Sequence, residues 1–218
     1  VDIETSSASI STAQILQIAG LMLDPRTLEI KDGFCSYIKP ENWDTVEPGA
    51  LAVNKLNHEI LDNAPDIKLV FQQFCAWVGK YNRGNSTYTA PIMSGYNILG
   101  FDLPIISRFC ERFGPWDAKS GRQKLFNQVN FFDLYYLMLY WNENNPELPK
   151  LKLSIVLEYM GMSTATLENS HDALFDCKMC HQMLVKLFTA SRYLTKTREE
   201  TGTARLQFKN CLRNKEEK

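Results

Sequence analysis

Val1-Asp2-Ile3-Glu4-Thr5 opens the chain, and together with residues 15–23 (ILQIAGLML) and 28–38 (LEIKDGFCSYI) it decides how the rest is read. The two longer stretches are apolar runs joined by a turn at Asp24-Pro25-Arg26, so three consecutive strands of one sheet are expected, with Asp2 and Glu4 in the first. Residues i and i+2 of a strand point to the same face, so these two carboxylates project together. Held that close, they repel unless a proton or a cation intervenes. Hard oxygen donors of this kind select Mg²⁺ or Mn²⁺ rather than Zn²⁺. The pair alone also fits a half-exposed edge strand with two solvated acids.

Working outward, residues 49–61 and 66–81 read as helices, the second with Ile67, Val70, Phe71, Phe74 and Val78 on one face. Pro91 to Tyr96 is a short apolar strand. It feeds a helix over 100–113 that has Asp102 at its start, Pro104 in its first turn and Gly114-Pro115 at its end. Val129 to Phe132 is a fifth strand. Further helices are expected at 134–142, 151–160 and 172–194. The order βββααβαβαα describes an α/β fold, a mixed five-stranded sheet flanked by helices in a single domain over 1–195. Apolar periodicity is lost beyond Thr195, and 196–218 reads as a basic C-terminal arm.

Composition sets the outer bounds. With 44% hydrophobic and 22% charged residues over 218 positions, the chain is that of an ordinary globular domain. It contains no apolar run long enough for a membrane span. Six scattered cysteines favour reduced thiols and a cytoplasmic setting. The chain opens at Val1 rather than at a methionine, which reads as a few upstream residues missing. The net charge of −1 conceals an asymmetry, because the basic residues from Lys186 onward outnumber the acids and leave the preceding body acidic. An acidic body suits a cation site, and a basic arm can reach phosphates.

Two later segments complete the acid set. Asp102 can cap or complement its helix, and a carboxylate fixed there can also face a metal across the sheet end. His171 precedes the last helix and Asp176 lies inside it, while Asp172 reads as a favourable first-turn charge. Asp2, Glu4, Asp102 and Asp176 supply ligands for divalent cations, and His171 supplies a base for water: the parts of a two-metal phosphodiester-cleaving site. A rival motif is the C-x-x-C-H of haem attachment at Cys177 to His181. Ala173, Cys177, Cys180, Leu184 and Leu187 follow a buried helical stripe, however, which makes the cysteines small core residues. No phosphate-binding G-x-x-x-x-G-K-[ST] loop, G-x-G-x-x-G turn or G-x-S-x-G elbow is present.

These segments resemble the DEDDh group of 3′–5′ exonucleases, the family of the DNA polymerase III proofreading subunit, ribonuclease T and oligoribonuclease. VDIET resembles the first motif, GYNILGFDLPII the second and HDALFDCKM the third, over Asp2 to about Leu187. The resemblance implies a ribonuclease H-like fold and two Mg²⁺ (or Mn²⁺) held by Asp2, Glu4, Asp102 and Asp176. It implies His171 as general base, and Thr5 and Asn97 as substrate-binding positions near the terminal 3′-OH and the second motif. Residues 50–57 (ALAVNKLN) resemble the segment that packs on the terminal base. The implied activity is release of nucleoside 5′-monophosphates from 3′ ends of single-stranded DNA or RNA, DNA slightly favoured, with a replication or repair protein as possible partner. The family strand carries more apolar residues before its first Asp than the single Val1 here, and Gln17 stands where many relatives carry Glu. The alternative is a catalytically silent nucleic-acid-binding module on the same fold.

Overall fold

A computed structural model describes residues 1–142, 145–162 and 171–196. The chain divides into two compact units, Val1–Cys180 and His181–Lys218, and the fold described below is that of the first. The basic arm at 196–218 lies, apart from Lys196, outside the described residues.

The three opening strands form as expected. β1 (Asp2–Thr5) pairs antiparallel with β2 (Ile15–Leu23), which pairs antiparallel with β3 (Ile30–Tyr37). Residues 15–20 of β2 are all buried, because β2 is central and covered on both faces. A register shift between Glu4 and Thr5 bends β1 just past the acid pair. β4 (Met93–Gly95) pairs in parallel with β7 (Phe131–Asp133). The Val1 nitrogen donates to the Ser94 carbonyl at 2.8 Å, which sets β4 beside β1. The five expected strands are therefore present, but as a three-stranded and a two-stranded sheet rather than one continuous ladder. β4 offers only three residues for pairing, and a Cβ added at Gly95 would lie 2.6 Å from the Val1 carbonyl oxygen.

Where a single helix over 49–61 was expected, two stand: α1 (Pro48–Asn54) and α2 (His58–Asp62). Lys55 ends α1 in the left-handed region at φ 56°, and the Asn57 side chain caps α2 by accepting from the Ile60 N–H. α3 (Ile67–Gly79) and α4 (Asp102–Phe113) pack on one face of the sheet. They enclose a core of Ile3, Ile18, Phe71, Phe74, Ile106 and Phe109 with their neighbours. A short hairpin that the sequence did not disclose, β5 (Trp116–Asp117) with β6 (Arg122–Gln123), follows α4. α5 (Leu134–Trp141), α6 (Leu153–Tyr159) and α7 (Ala173–Lys196) complete the described elements.

Ala173 and Cys177 in the first turns of α7 cluster with Ala19 of β2. Cys177 and Cys180 are buried free thiols within an unbroken helix, so no loop stands there for haem. Among the described residues, no helix is long and apolar enough to cross a membrane.

Candidate active site

Asp2 and Glu4 face the same side of β1, as strand alternation requires, and Glu4 is buried. Glu4 lies opposite Gln17 of β2 in the ladder. Gln17, only 1% exposed, donates from Nε2 to Asp172 Oδ2 at 2.8 Å and accepts from the Ala173 N–H at 3.1 Å. One amide on the central strand thus fixes the start of α7 against the sheet. Asp172 spends its other oxygen on the Phe175 N–H, at 2.9 Å, as a first-turn cap.

Thr5 closes β1. Its hydroxyl donates to the Ser7 carbonyl at 2.8 Å, and its own carbonyl accepts from Asn54 Nδ2 at 3.0 Å. Buried Asn54 therefore ties the end of α1 to the strand bearing the acid pair.

Asp102 is the first residue of α4, yet it makes no helix cap. Its Oδ1 accepts from the Ile3 N–H at 3.1 Å, which aims the carboxyl at the stretch between Asp2 and Glu4. The loop leading into α4 is held by Asp133 at the end of β7. Asp133 accepts from the N–H groups of Asn97 (2.8 Å), Leu99 (3.0 Å) and Tyr135 (3.0 Å), so one buried carboxylate caps α5 and shapes the approach to Asp102. Asn97 itself is exposed at φ 59°, and its carbonyl accepts from the Gly100 N–H.

His171 precedes α7 in the left-handed region at φ 67°, and its N–H donates to Asp176 Oδ2 at 3.3 Å. Glu4, His171 and Asp176 each bring one ligand atom within 4.8 Å of the others. Residues far apart in the chain so converge on a patch small enough for one cation.

The electrostatics explain why a cation fits. Burial of its carboxyl pushes Asp2 well above the usual range, reinforced by Asp102, Glu4 and Asp176. Burial and then the Asp176 and Asp102 charges push Glu4 up to about 8. Asp102 is raised to about 7 by burial, against the pull of the Ile3 N–H bond. Asp176 is raised to about 6 by burial, offset in part by the His171 N–H. Four acids, Glu4 and Asp102 buried and Asp2 and Asp176 half-buried, resist ionising together and form a set a divalent cation would relieve. His171 moves the other way: burial lowers its pKa, and the Lys152 and Lys55 charges lower it further. An imidazole neutral at neutral pH can accept a proton.

All five residues of the predicted cluster thus gather around the β1 end of the sheet. The positioning residues Gln17, Asn54 and Asp133 gave weaker signals. Gln17 and Asn54 are polar residues inside apolar stretches, and Asp133 is an acid immediately before an apolar helix.

A model of the exonuclease family, of the RNase T type, matches residues 1–184. No curated protein sequence matches the chain. Among solved structures, E. coli exonuclease I in complex with a dT13 oligonucleotide is similar at TM-score 0.64 and 17% identity, over 87% of this chain and 42% of that one. Cell-death related nuclease 4 is similar at TM-score 0.63 and 17% identity, over 87% of this chain and 62% of that one. The nuclease domain of 3′hExo, a DEDDh family member bound to rAMP, gives TM-score 0.62 and 18% identity, over 87% and 90% of the two chains. At such identities the likeness is one of fold, and this chain spans less than half the length of exonuclease I. With the match running through all three acidic segments, the chain belongs to the exonuclease family and shares the fold of these nucleases.

Proposed function

We propose that this protein is a metal-dependent 3′–5′ exonuclease that hydrolyses single-stranded nucleic acid to nucleoside 5′-monophosphates. The observation that carries this reading is the convergence of Glu4, His171 and Asp176 within 4.8 Å, beside half-buried Asp2 and the buried carboxyl of Asp102. The all-oxygen carboxylate set fits Mg²⁺ or Mn²⁺, and Asp2, Glu4, Asp102 and Asp176 would hold two such ions. When bound, the ions would acidify water and neutralise charge on the phosphate.

The chain's own residues supply the rest. Asp176 accepts the backbone N–H of His171 and so holds that residue at the mouth of the cluster. The neutral imidazole would take the proton of the attacking water. Thr5, fixed through its carbonyl by Asn54, would present its backbone to the terminal 3′-OH. Asn97 would support the substrate from the loop before α4. Burial around Glu4 and Asp102 limits bulk water, which strengthens each of these interactions.

E. coli exonuclease I is known in complex with a dT13 oligonucleotide and 3′hExo bound to rAMP, so single-stranded DNA and RNA are both substrates to test. The five described cysteines are free thiols, which suits a cytoplasmic setting where a replication or repair protein would be the partner to seek.

Digestion of 5′-labelled single-stranded DNA and RNA of matched sequence, with Mg²⁺ and with EDTA, tests the reading. The expected result is a Mg²⁺-dependent ladder shortening from the 3′ end, faster for one of the two strands. Strands bound but left intact would establish the silent binding module instead.

A further inference from the structure

Two cysteines meet where α3 and α4 pack together. Cys75 is half-exposed on α3 and Cys110 is buried on α4, and both are free thiols. Gly114, just past the end of α4, marks the place: a Cβ built there would lie 3.1 Å from Cys75 Sγ and 3.2 Å from Cys110 Cα. The missing side chain is what lets the sulfur on α3 come up to the last turn of α4. The two thiols share a hydrogen bond, which together with burial pushes the Cys110 thiol well above its usual range.

We propose that Cys75 and Cys110 form a thiol–disulfide exchange site, at which a small disulfide such as oxidised glutathione cross-links α3 to α4 as a reversible staple. Neither thiol takes part in the chemistry proposed above, and the cross-link requires neither nucleic acid nor metal.

The other described thiols are not placed for this. Cys35 is exposed, but its sulfur accepts from Gln17 Nε2 at 3.7 Å. Cys177 and Cys180 are buried along one helix, and Cys177 donates to the Ala19 carbonyl at 3.6 Å. Because the shared hydrogen bond keeps the proton on Cys110, attack falls to half-exposed Cys75. Its thiolate attacks one sulfur of the donor RSSR, an S–S bond forms, and RS⁻ leaves. Capped Cys75 no longer holds the Cys110 proton in place, and the departing RS⁻ takes it. The Cys110 thiolate then attacks the Cys75 sulfur and expels a second RS⁻, which takes up the proton first lost by Cys75. Two protein thiols are oxidised to one disulfide, and RSSR is reduced to two RSH. At a reducing glutathione poise the pair stays open, and an oxidising one closes it.

The consequence lies in the loop that is closed. Between the two cysteines run β4, Asn97 and Asp102, so the bond ties down the segment that carries one of the four acids. Cutting the freedom of that loop in the unfolded chain stabilises the fold.

The test is to equilibrate the full chain with excess oxidised glutathione, block remaining thiols with iodoacetamide and map the peptides by non-reducing mass spectrometry. The expected result is a Cys75–Cys110 cross-linked peptide, cleared by dithiothreitol, with a melting temperature about 5–10 °C above that of the reduced protein. Cys75→Ser, at the half-exposed position, should melt with reduced wild type and show no rise on oxidation. Cys110→Ala should stop at glutathione on Cys75; if that variant does not fold, Cys75→Ser still decides. Both thiols alkylated, Cys75 left carrying glutathione in the wild type, or cross-links only between other cysteines would overturn the exchange site. A Cys75–Cys110 bond that leaves the melting temperature unchanged or lower would overturn the staple.

Discussion

Gln17 is a buried amide in an otherwise apolar strand, and its bonds to Asp172 and the Ala173 N–H set where the His171 segment begins. Replacing it with leucine leaves the buried Ala173 N–H unsatisfied and takes one donor from half-buried Asp172, at a cost of about 2 kcal/mol. Urea denaturation of Gln17→Leu should show that loss together with reduced turnover, and an unchanged midpoint would remove Gln17 from the positioning network. His171 acts at the reacting atoms, so His171→Ala should cut the rate by about 10²–10⁴ with the melting temperature intact. Because burial and two lysines lower the histidine pKa, its neutral form persists below the ordinary value. The rising limb of the pH–rate profile should therefore fall below about pH 6.5. A limb well above that, with chemistry rate-limiting, would assign it to another group. The five cluster residues could be read from sequence because acids and a histidine at motif spacing carry their chemistry in their type. Gln17, Asn54 and Asp133 could not, since a hydrogen bond to a distant partner leaves no mark on local sequence.

At the scale of elements, Asp133 joins three of them: it ends β7, caps α5 and accepts two N–H groups from the loop before α4. Asp133→Ala removes a cap and two further hydrogen bonds, and should destabilise by about 2–3 kcal/mol. Asp133→Asn keeps one acceptor oxygen and should lose about half as much. Equal denaturation midpoints for the two variants would show that the charge, not the geometry, matters. Strands β2 and β3 and helices α3 and α4 were legible because their apolar periods run long, and β1 because it leads into them. The break between α1 and α2 was not, because the spacing continues through it and the left-handed residue is Lys55 rather than glycine. The β5–β6 hairpin is two residues a side, too short for any period to register. The single five-stranded ladder resolved into two sheets for a similar reason, the brevity of β4.

At the scale of the molecule, the acid cluster links folding to pH and to metal. With no metal, Asp2, Glu4, Asp102 and Asp176 all titrate above the ordinary carboxylate range. Groups raised in the folded state contribute stability that is complete below about pH 4 and is lost as pH rises through the folded values of about 6 to about 8. In EDTA these groups should therefore lower the melting temperature from about pH 5 to about pH 8, and Mg²⁺ should raise it more at the higher pH, where fewer protons compete. A metal effect that is absent, or equal at both pH values, would contradict a carboxylate metal centre.

The central claim is that this centre directs water at the phosphorus nearest a 3′ end. Digesting a single-stranded oligonucleotide with Mg²⁺ in ¹⁸O-enriched water, with mass spectrometry of the released product, tests it most directly. The account predicts nucleoside 5′-monophosphate carrying one ¹⁸O in its phosphate, formed by wild type and lost in His171→Ala and Asp102→Ala. Nucleoside 3′-monophosphates, unlabelled 5′-phosphate or product that survives both substitutions would contradict it.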